Sequence, residues 1–523
     1  MLHEKIPLAQ TKAFSSFFLD YIQQKETLKP FYHRFPVPEN FKDQIADKGR
    51  AFPQQHRDIL VTVLKKQYEG LKISETVSQN IDSLRKPETF VVTTGHQLNI
   101  FTGPLYFIYK IITVINTCRR LKADYPQYNF VPVYWMASED HDYDEIKYFR
   151  LYGKKYTWET NQKGAVGRFS TKDLQNVLAD VPGDVTIFKE AYTKNKTLAA
   201  AARHYVNDLF GAEGLVTIDA DNRDLKSLFK PVMENDIFQN STVALVNETN
   251  KQLADLGYKT QVFCRDINFF YLDHNLRSRI EQHGDRYRVI DTDLEFTEAE
   301  LRSIIQTSPE KLSPNVILRP LYQEWILPNL AYVGGPAESI YWLQLKKVFD
   351  HYKIPFPMLM PRNFALVVDH TVQRKLEKTG LQLTHYFDDK NYLFNHWTLQ
   401  NSRADLTVGA ERDTIQKIYS DLKRRAESID KTLGPFAGAE GTRVINGLEK
   451  IERKLLRAEK RFHSDKLRQI EAVKDALFPN GSLQERVDNF LNFYQQDKDF
   501  VKKLIQYLDP FDYEFNVLTY DGV

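Results

Sequence analysis

The 523-residue sequence contains few cysteines and no long apolar segment. Its two cysteines, Cys118 and Cys264, lie in apolar settings that are typical of buried, reduced thiols and argue against a disulfide framework. No run approaches the ~20 apolar residues of a membrane-spanning helix, and the N-terminal MLHEKIPLAQ lacks the apolar core of a secretory signal. These absences predict a cytoplasmic protein without a membrane partner.

A strong excess of one charge is also lacking, as are the common nucleotide-binding motifs. A formal net charge of +2 gives no general reason to expect a nucleic-acid partner. The chain has no Walker A motif, no GxGxxG and no GxSxG, so a nucleotide would have to be held by less specific loops. It also has no HExxH or paired-cysteine spacing, and we predict no metal site.

The most informative stretch, residues 90–145, has the pattern of a strand–helix–strand unit. The segments 90–94 and 130–136 are short and rich in β-branched side chains, and their odd and even positions are both apolar. This pattern is typical of strands that are buried on both faces. Between them, isoleucines recur at helical spacing over residues 104–122. Ligands of open parallel sheets bind at the carboxyl ends of strands, beside helix N-termini that favour anions. The two polar loops at those ends are therefore the predicted site.

The first of these loops runs from Gly95 to Gly103. Pro104 suits a first helical position, with Thr102 and Gly103 as capping candidates. His96 could donate to a phosphate or carboxylate near the helix start, or it could be a satisfied structural residue, and the two interpretations are equally supported. Lys110 could point inward as a phosphate partner or extend its amine to solvent, and we favour the second.

The second loop is acidic and spans residues 138–145, SEDHDYDE. Its carboxylates and His141 could hold a metal ion. A carboxylate could instead act as a general base or hold a substrate ammonium group, which is the interpretation we favour. The block could also be structural and cap the next helix at Asp144.

Residues 312–362 repeat the arrangement of strand, glycine loop and helix. A strand is predicted over 329–333, followed by a turn at Gly334, Gly335 and Pro336 and by a helix with Glu338 in its first turn. Another buried strand over 357–361 ends at Arg362. Two such units predict one doubly wound α/β sheet with a shared crevice.

From about residue 413 the chain becomes charged and helical. Apolar residues step by three and four over 415–433 and again over 444–462, and Gly434 and Pro435 lie between the two runs. This pattern predicts an antiparallel coiled-coil hairpin; pairing with a second subunit is left open. The predicted divisions are a core over 1–410 with a helical N-terminal part and insertions at about 150–310, the hairpin over 411–478, and a segment over 479–523 that packs back on the core.

Four segments carry a family resemblance, in the order TGHQLNIFTGPLYFIYKI, VPVYWMASEDHDYDEI, LSPNVILRPLYQEWILPNLAYVGGPAESIYW and PNGSLQERVDNFLNFY. Together they resemble the cysteine-adding enzymes of bacillithiol biosynthesis, the BshC family, over nearly the whole chain. The resemblance implies a Rossmann-like core related to nucleotidyltransferases and class I aminoacyl-tRNA synthetases, with connective insertions and a coiled-coil arm. It also implies a ligase that joins the carboxyl group of L-cysteine to the amine of glucosaminyl-malate.

The family motifs carry over onto particular residues of the predicted loops. These are Gly95, Gln97, Thr102, Gly103, Pro104, Glu139, Asp140, His141, Asp142, Gly334, Gly335 and Glu338. His96 is a departure, because the family usually has a second glutamine there. Neither a full HIGH motif nor a KMSKS-like loop is present.

The mechanism expected from this resemblance begins with activation of the cysteine carboxylate by ATP and Mg²⁺, without a tightly bound cofactor. His96, Thr102 and the amides near Gly103 would face phosphate. Asp140 or Asp142 would accept the proton of the amine, and Glu139 would orient it. Arg319 and Arg362 are our choices for the malate carboxylates, and a homodimer through the coiled coil is a further expectation.

The sequence is compatible with three alternative functions. The acidic block could serve a metal-dependent hydrolase or transferase. The hairpin could be the active part of a non-catalytic scaffold. A tRNA-dependent cysteine donor is the third alternative, which the near-neutral charge supports poorly.

Overall fold

The computed structural model describes residues 1–520, and its strands form four sheets. In chain order the strands are β1 (Leu2–Pro7), β2 (Thr89–His96), β3 (Asn129–Met136), β4 (Tyr148–Leu151), β5 (Lys154–Thr157), β6 (Val216–Asp219), β7 (Phe269–Asp273), β8 (Leu276–His283), β9 (Arg286–Val289), β10 (Glu295–Thr297), β11 (Leu312–Pro314), β12 (Asn329–Gly334), β13 (Met358–Pro361), β14 (Phe364–Val368) and β15 (Glu514–Thr519).

Helices connect and cover these strands. They are α1 (Ser16–Ile22), α2 (Phe41–Ala51), α3 (Gln54–Gln67), α4 (Glu75–Ser83), α5 (Tyr106–Asp124), α6 (Tyr143–Ile146), α7 (Leu174–Asp180), α8 (Thr186–Lys194), α9 (Leu198–Phe210), α10 (Arg223–Leu228), α11 (Lys230–Gln239), α12 (Ser241–Asp255), α13 (Glu298–Thr307), α14 (Arg319–Ile326), α15 (Pro336–Trp342), α16 (Lys346–His351), α17 (His370–Thr379), α18 (Lys390–Asn401), α19 (Gly409–Ile429), α20 (Leu433–Phe462), α21 (Ser464–Leu477), α22 (Leu491–Tyr494) and α23 (Phe500–Tyr507). None of the helices within residues 1–520 is both long and apolar enough to cross a membrane.

The central sheet has five parallel strands in the order β13-β12-β2-β3-β6. Numbered by their own order along the chain, these strands follow 5-4-1-2-3, which is the arrangement of a doubly wound sheet. The chain changes direction between β2 and β12, so a crevice opens at their carboxyl ends. Every residue of β2 and β12 is buried, as expected when helices cover both faces of a sheet. The predicted Rossmann-like core is confirmed.

The start of α5 differs from the prediction. The helix begins at Tyr106 rather than Pro104, and no side chain caps it. Instead the backbone N–H of Leu105 donates to the carbonyl oxygen of Asp488 at 2.7 Å. The predicted cap is wrong because the acceptor comes from a segment more than 380 residues away in sequence.

The second five-stranded sheet is antiparallel, in the order β10-β9-β8-β7-β11, and belongs to the insertion between β6 and β12. This part of the chain falls within the insertions predicted at about 150–310. No strand was predicted at β8 because its sequence, LRSRIEQH, is mostly polar and buries only Ile280 fully. The β4–β5 hairpin is a second antiparallel element of the same region.

Both ends of the chain meet in a three-stranded sheet, β1-β15-β14. β1 pairs antiparallel with β15, and β14 pairs parallel with it. Residues 365–520 therefore return to the core through β14 and β15.

Helices α19 and α20 form the predicted antiparallel hairpin. The turn lies between Ile429 and Leu433, so the predicted turn at Gly434 and Pro435 is wrong. Pro435 fits within the first turn of α20 because no intrahelical acceptor is available for the N–H groups there. Much of the apolar stripe stays exposed, with Ile451 52% and Phe462 82% accessible.

Candidate active site at the switch point of the parallel sheet

A cavity of about 670 Å³ opens at the carboxyl ends of β2, β3 and β12. It brings together three predicted segments: the first loop supplies Gly95, His96 and Gln97, the acidic loop supplies Glu139 and Asp140, and the glycine turn with the helix after it supplies Gly335 and Glu338. Its charged lining comprises seven lysine and arginine side chains against three carboxylates. The cavity is therefore suited to anionic ligands.

Lys110, which is buried, and Glu338, which is half-buried, form an ion pair at the base of this cavity. The Lys110 amine lies 2.5 Å from Glu338 Oε2 and donates to the carbonyl oxygen of Gly95 at 2.9 Å. The interpretation that Lys110 extends to solvent is wrong, because its side chain is only 3% exposed. Burial alone would raise the pKa of Glu338, but the charge and hydrogen bond of Lys110, together with the N–H of Gly335, outweigh it and lower that pKa. Glu338 is therefore an ionised partner that joins the ends of β2 and β12.

The close approach of β2 and β12 explains the glycine at position 95. A Cβ atom at Gly95 would lie 3.0 Å from the Tyr332 hydroxyl oxygen, which itself donates to Glu338 Oε1 at 3.1 Å. Glu338 Oε2 also accepts the N–H of Gly335 at 2.8 Å, which caps α15. Gly334 does not line the cavity and packs beneath the Glu338 side chain.

His96 lies in the cavity wall between aromatic rings. Its ring centroid is 5.3 Å from that of Tyr106 and 5.1 Å from that of Phe107. Burial, together with the charge of Lys110, lowers the pKa of His96 to about 3. The imidazole is therefore neutral near pH 7, and its buried Nε2 has no partner among residues 1–520.

The first two carboxylates of the acidic block have different environments. Glu139 forms an ion pair with the buried Lys226, but burial is the larger effect and raises the pKa of Glu139. Asp140 accepts a hydrogen bond from Gln97 Nε2 at 2.9 Å. Burial opposes ionisation of Asp140, yet Gln97 and the charge of Arg277 outweigh it and lower its pKa. Asp140 is thus an ionised carboxylate at the cavity wall.

His141 and Asp142 lie outside the cavity lining. Nδ1 of His141 accepts a hydrogen bond from Arg277 at 2.7 Å, and burial and that arginine lower the pKa of His141. Because the side chains of the block turn toward different partners, they do not converge; within residues 1–520 no three His, Cys, Asp or Glu side chains are grouped to hold a metal ion.

The predicted residues Thr102, Gly103 and Pro104 also lie away from the cavity. Asn489 covers this turn and donates to the carbonyl oxygens of Phe101 and Gly103 at 2.7 and 2.6 Å. Gly103 has a φ of +64°, and a Cβ there would lie 2.6 Å from Asn99 Cβ. These residues build the turn that leads into α5.

The family model for the N-terminal Rossmann-like domain of bacillithiol biosynthesis BshC matches residues 1–363. The model for the C-terminal coiled-coil domain of BshC matches residues 365–520. The chain belongs to the BshC family.

Relatives in this family match over nearly their full length. A Flavobacterium johnsoniae protein named "Putative cysteine ligase BshC" is 42% identical over 517 residues, which cover 97% of each chain. Proteins of the same name from Cytophaga hutchinsonii and Salinibacter ruber are 40% and 30% identical, with 99% of each chain covered in the first case and 94% and 93% in the second. The predicted family membership and the coiled-coil arm are confirmed.

The two arginines predicted to bind malate have different surroundings in this BshC-family chain. Arg362 lines the cavity, but both of its terminal nitrogens donate to Glu485, at 3.0 and 2.6 Å. Arg319 forms no ion pair with a carboxylate of residues 1–520; it donates to Gln323 and to the Tyr341 hydroxyl at 3.2 and 3.3 Å. Arg319 therefore keeps its positive charge available, whereas that of Arg362 is balanced.

Sequence reasoning missed four of the cations that line the cavity, Arg265, Arg277, Arg279 and Arg486, and also Lys226, which pairs with Glu139. Arg277 lies on the unpredicted strand β8, with its guanidinium carbon 4.0 Å from the Phe270 ring centroid. Arg486 comes from the C-terminal domain of the BshC family and reaches the same cavity. Only the fold places Arg277 and Arg486 beside β2.

Proposed function

We propose that this BshC-family chain is a ligase of bacillithiol biosynthesis that joins the carboxyl group of L-cysteine to the glucosamine amine of glucosaminyl-malate. One observation carries the proposal: the cavity combines an excess of cationic side chains with an ionised carboxylate, Asp140, at its wall. The cations suit the carboxylates of both substrates, and a carboxylate suits an amine. The relatives' printed name, "Putative cysteine ligase BshC", supports the part of the proposal that concerns cysteine.

Asp140 is the residue we assign to the amine. The amine must be neutral to attack a carboxyl carbon, and an ionised carboxylate can accept its proton. Gln97 holds Asp140 in that state, and Glu139 is held by Lys226 and positions the loop. Asp142, the other predicted base, is exposed and does not line the cavity.

ATP with Mg²⁺ is the proposed source of activation. It would convert the hydroxyl of the cysteine carboxyl group into a better leaving group. The cavity fits an anionic nucleotide because its cations outnumber its carboxylates and because the unpartnered Nε2 of His96 can hydrogen-bond a ligand. Arg319 would hold negative charge beside it, since its side chain donates to the neutral groups of Gln323 and Tyr341.

The proposal is tested by mass spectrometry of the full chain incubated with cysteine and glucosaminyl-malate, with and without ATP and Mg²⁺. Product formed only with ATP, together with AMP, would support adenylation. Product with ADP would support an acyl phosphate instead. Absence of the cysteinyl product with both substrates and ATP would overturn the proposed function.

The alternative functions make different predictions. A metal-dependent hydrolase or transferase would lose activity on chelation, and the divergent side chains of the acidic block do not favour it. A scaffold would depend on the hairpin, so turnover by a chain in which a short linker replaces residues 413–459 would contradict it. A tRNA-dependent donor would require ribonuclease-sensitive turnover.

We further propose a cytoplasmic homodimer that involves neither nucleic acid nor a membrane. The outer surface of α19 and α20 exposes apolar side chains, including Ile429 and Phe462, each 82% accessible. A second copy of the hairpin would cover them. Sedimentation analysis of the Ile451→Glu/Leu455→Glu double variant, with the wild type as reference, tests the dimer.

A further inference from the structure

The C-terminal domain reaches the active-site cavity through a single turn. Residues Gln484–Arg486 form a short 3-10 turn, and Arg486 lines the cavity that the N-terminal domain otherwise builds. The two family models meet between residues 363 and 365, so this arginine belongs to the second domain. The site is therefore composed of both domains.

The residues before Arg486 are fixed to the core. The Gln484 side chain accepts the N–H of Val367 at 2.9 Å and donates to the Val367 carbonyl oxygen at 3.0 Å. Glu485 is fully buried, pairs with both terminal nitrogens of Arg362, and accepts the N–H of Ala365 at 3.2 Å. The turn is thus held on its N-terminal side.

The residues after Arg486 are also hydrogen-bonded to the core. The carbonyl oxygen of Asp488 accepts the N–H of Leu105, and the Asn489 amide donates to two carbonyls of the turn before α5. Because the backbone is held on both sides, the position of Arg486 at the rim is preorganised. Preorganisation lowers the cost of ordering a binding group when a ligand arrives.

Arg486 itself is left without a partner. Its side chain forms no ion pair or hydrogen bond with any residue of 1–520. The neighbouring carboxylate, Glu485, forms an ion pair with Arg362, and that buried pair has no net charge. Arg486 therefore adds a net positive charge beside Tyr106. A guanidinium group in this setting can bind a carboxylate through two parallel hydrogen bonds.

We propose that Arg486 binds a carboxylate of the malate group of the acceptor substrate, so that the C-terminal domain determines specificity for an acidic acceptor. This inference rests on the proposed function and assigns to Arg486 the task that sequence reasoning gave to Arg362. Arg265 also lines the cavity, and its guanidinium group forms no ion pair or hydrogen bond with any residue of 1–520. Unlike Arg486, it comes from residues 259–268, which form neither helix nor strand. Arg265 is therefore the matched control.

The experiment measures binding of glucosaminyl-malate and of methyl glucosaminide, which lacks the carboxylates, to the full chain by calorimetry. We expect Arg486→Gln to weaken binding of glucosaminyl-malate by on the order of tenfold or more and to leave that of methyl glucosaminide unchanged. Arg486→Lys should restore part of the loss, because it keeps the charge but not the planar fork. Arg265→Gln should change the affinity less than Arg486→Gln does.

Two results would overturn the inference. The first is an equal loss in Arg486→Gln and Arg265→Gln, which would mean that only the net charge of the cavity matters. The second is an equal loss for both ligands, which would mean that the substitution disturbs the fold of the site. If the wild type binds glucosaminyl-malate but forms no cysteinyl product, the proposed function fails while a selective loss in Arg486→Gln still supports the assignment of Arg486.

Discussion

Lys110 and Glu338 come from two different strand–helix units, and their charged atoms lie 2.5 Å apart beneath the cavity. Lys110 also holds the Gly95 carbonyl oxygen, and Glu338 holds the Gly335 N–H. One ion pair thus ties together the two loops that follow β2 and β12. The shape of the cavity floor depends on it.

Removing one partner of this pair should destabilise the protein. Glu338→Gln leaves the buried Lys110 without its anion and should lower the free energy of unfolding by about 3 kcal/mol. Lys110→Met leaves Glu338 without its cation and should lower it by less, because Glu338 is partly exposed to solvent. The double variant should lose less than the sum of the two, because neither charge is then left unpaired. Urea denaturation measures these changes. The partly exposed pair Lys346–Asp350 is the control, and Lys346→Met should cost no more than ~1 kcal/mol.

The two predicted bases of the acidic block should behave differently. Asp140→Asn removes the ionised carboxylate from the cavity wall, and we expect kcat for cysteine addition to fall by roughly 10²- to 10⁴-fold. Asp142→Asn changes an exposed carboxylate outside the lining and should leave kcat within about threefold. Steady-state kinetics with glucosaminyl-malate distinguish the two variants. A larger loss for Asp142→Asn would show that the base is assigned to the wrong residue.

Gln97 should control the pH at which the enzyme becomes active. Gln97→Leu removes the donor that helps to lower the pKa of Asp140, whereas burial, which raises that pKa, remains. The pKa of Asp140 should therefore rise, and the acid limb of kcat/KM should move to higher pH. The surface variant Gln79→Leu serves as the control. An unchanged acid limb in Gln97→Leu would contradict the assignment of Asp140 as the titrating base.

His96 should make the protein sensitive to acid. The pKa of this residue is about 3 in the folded protein, against a reference value of 6.5, so the unfolded chain binds the additional proton between these values. Stability from the neutral imidazole is therefore complete above pH 6.5 and decreases as the pH falls toward 3. At pH 5 the loss is about 2 kcal/mol relative to pH 8.

His96→Gln should remove this component of the acid sensitivity. We expect the wild type and the variant to differ by about 2 kcal/mol more at pH 5 than at pH 8, in favour of the variant, when unfolding free energies are measured in urea. His274→Gln, at an exposed position, is the control substitution. A pH-independent difference for His96→Gln would mean that this histidine takes up its proton as readily in the folded protein as in the unfolded chain.

Local sequence patterns predicted the elements that form the floor of the site. The β-branched run in β2 and the helical spacing of isoleucines in α5 each involve residues that are close in sequence. These elements and the loop between them were therefore predicted. The same holds for the acidic block and for the glycine turn before α15. Element ends were less predictable, because the cap of α5 comes from Asp488.

By itself, the sequence determined that two strand–loop–helix units and a coiled-coil hairpin exist, because period and turn residues are local properties. Only the tertiary structure decided which charges meet. It paired Lys110 with Glu338 and Arg362 with Glu485. It placed Arg486 at the cavity rim, without an ion-pair partner among residues 1–520. A side chain's charge is balanced by whatever the fold places within a few ångströms, and these partners lie more than 100 residues apart in sequence.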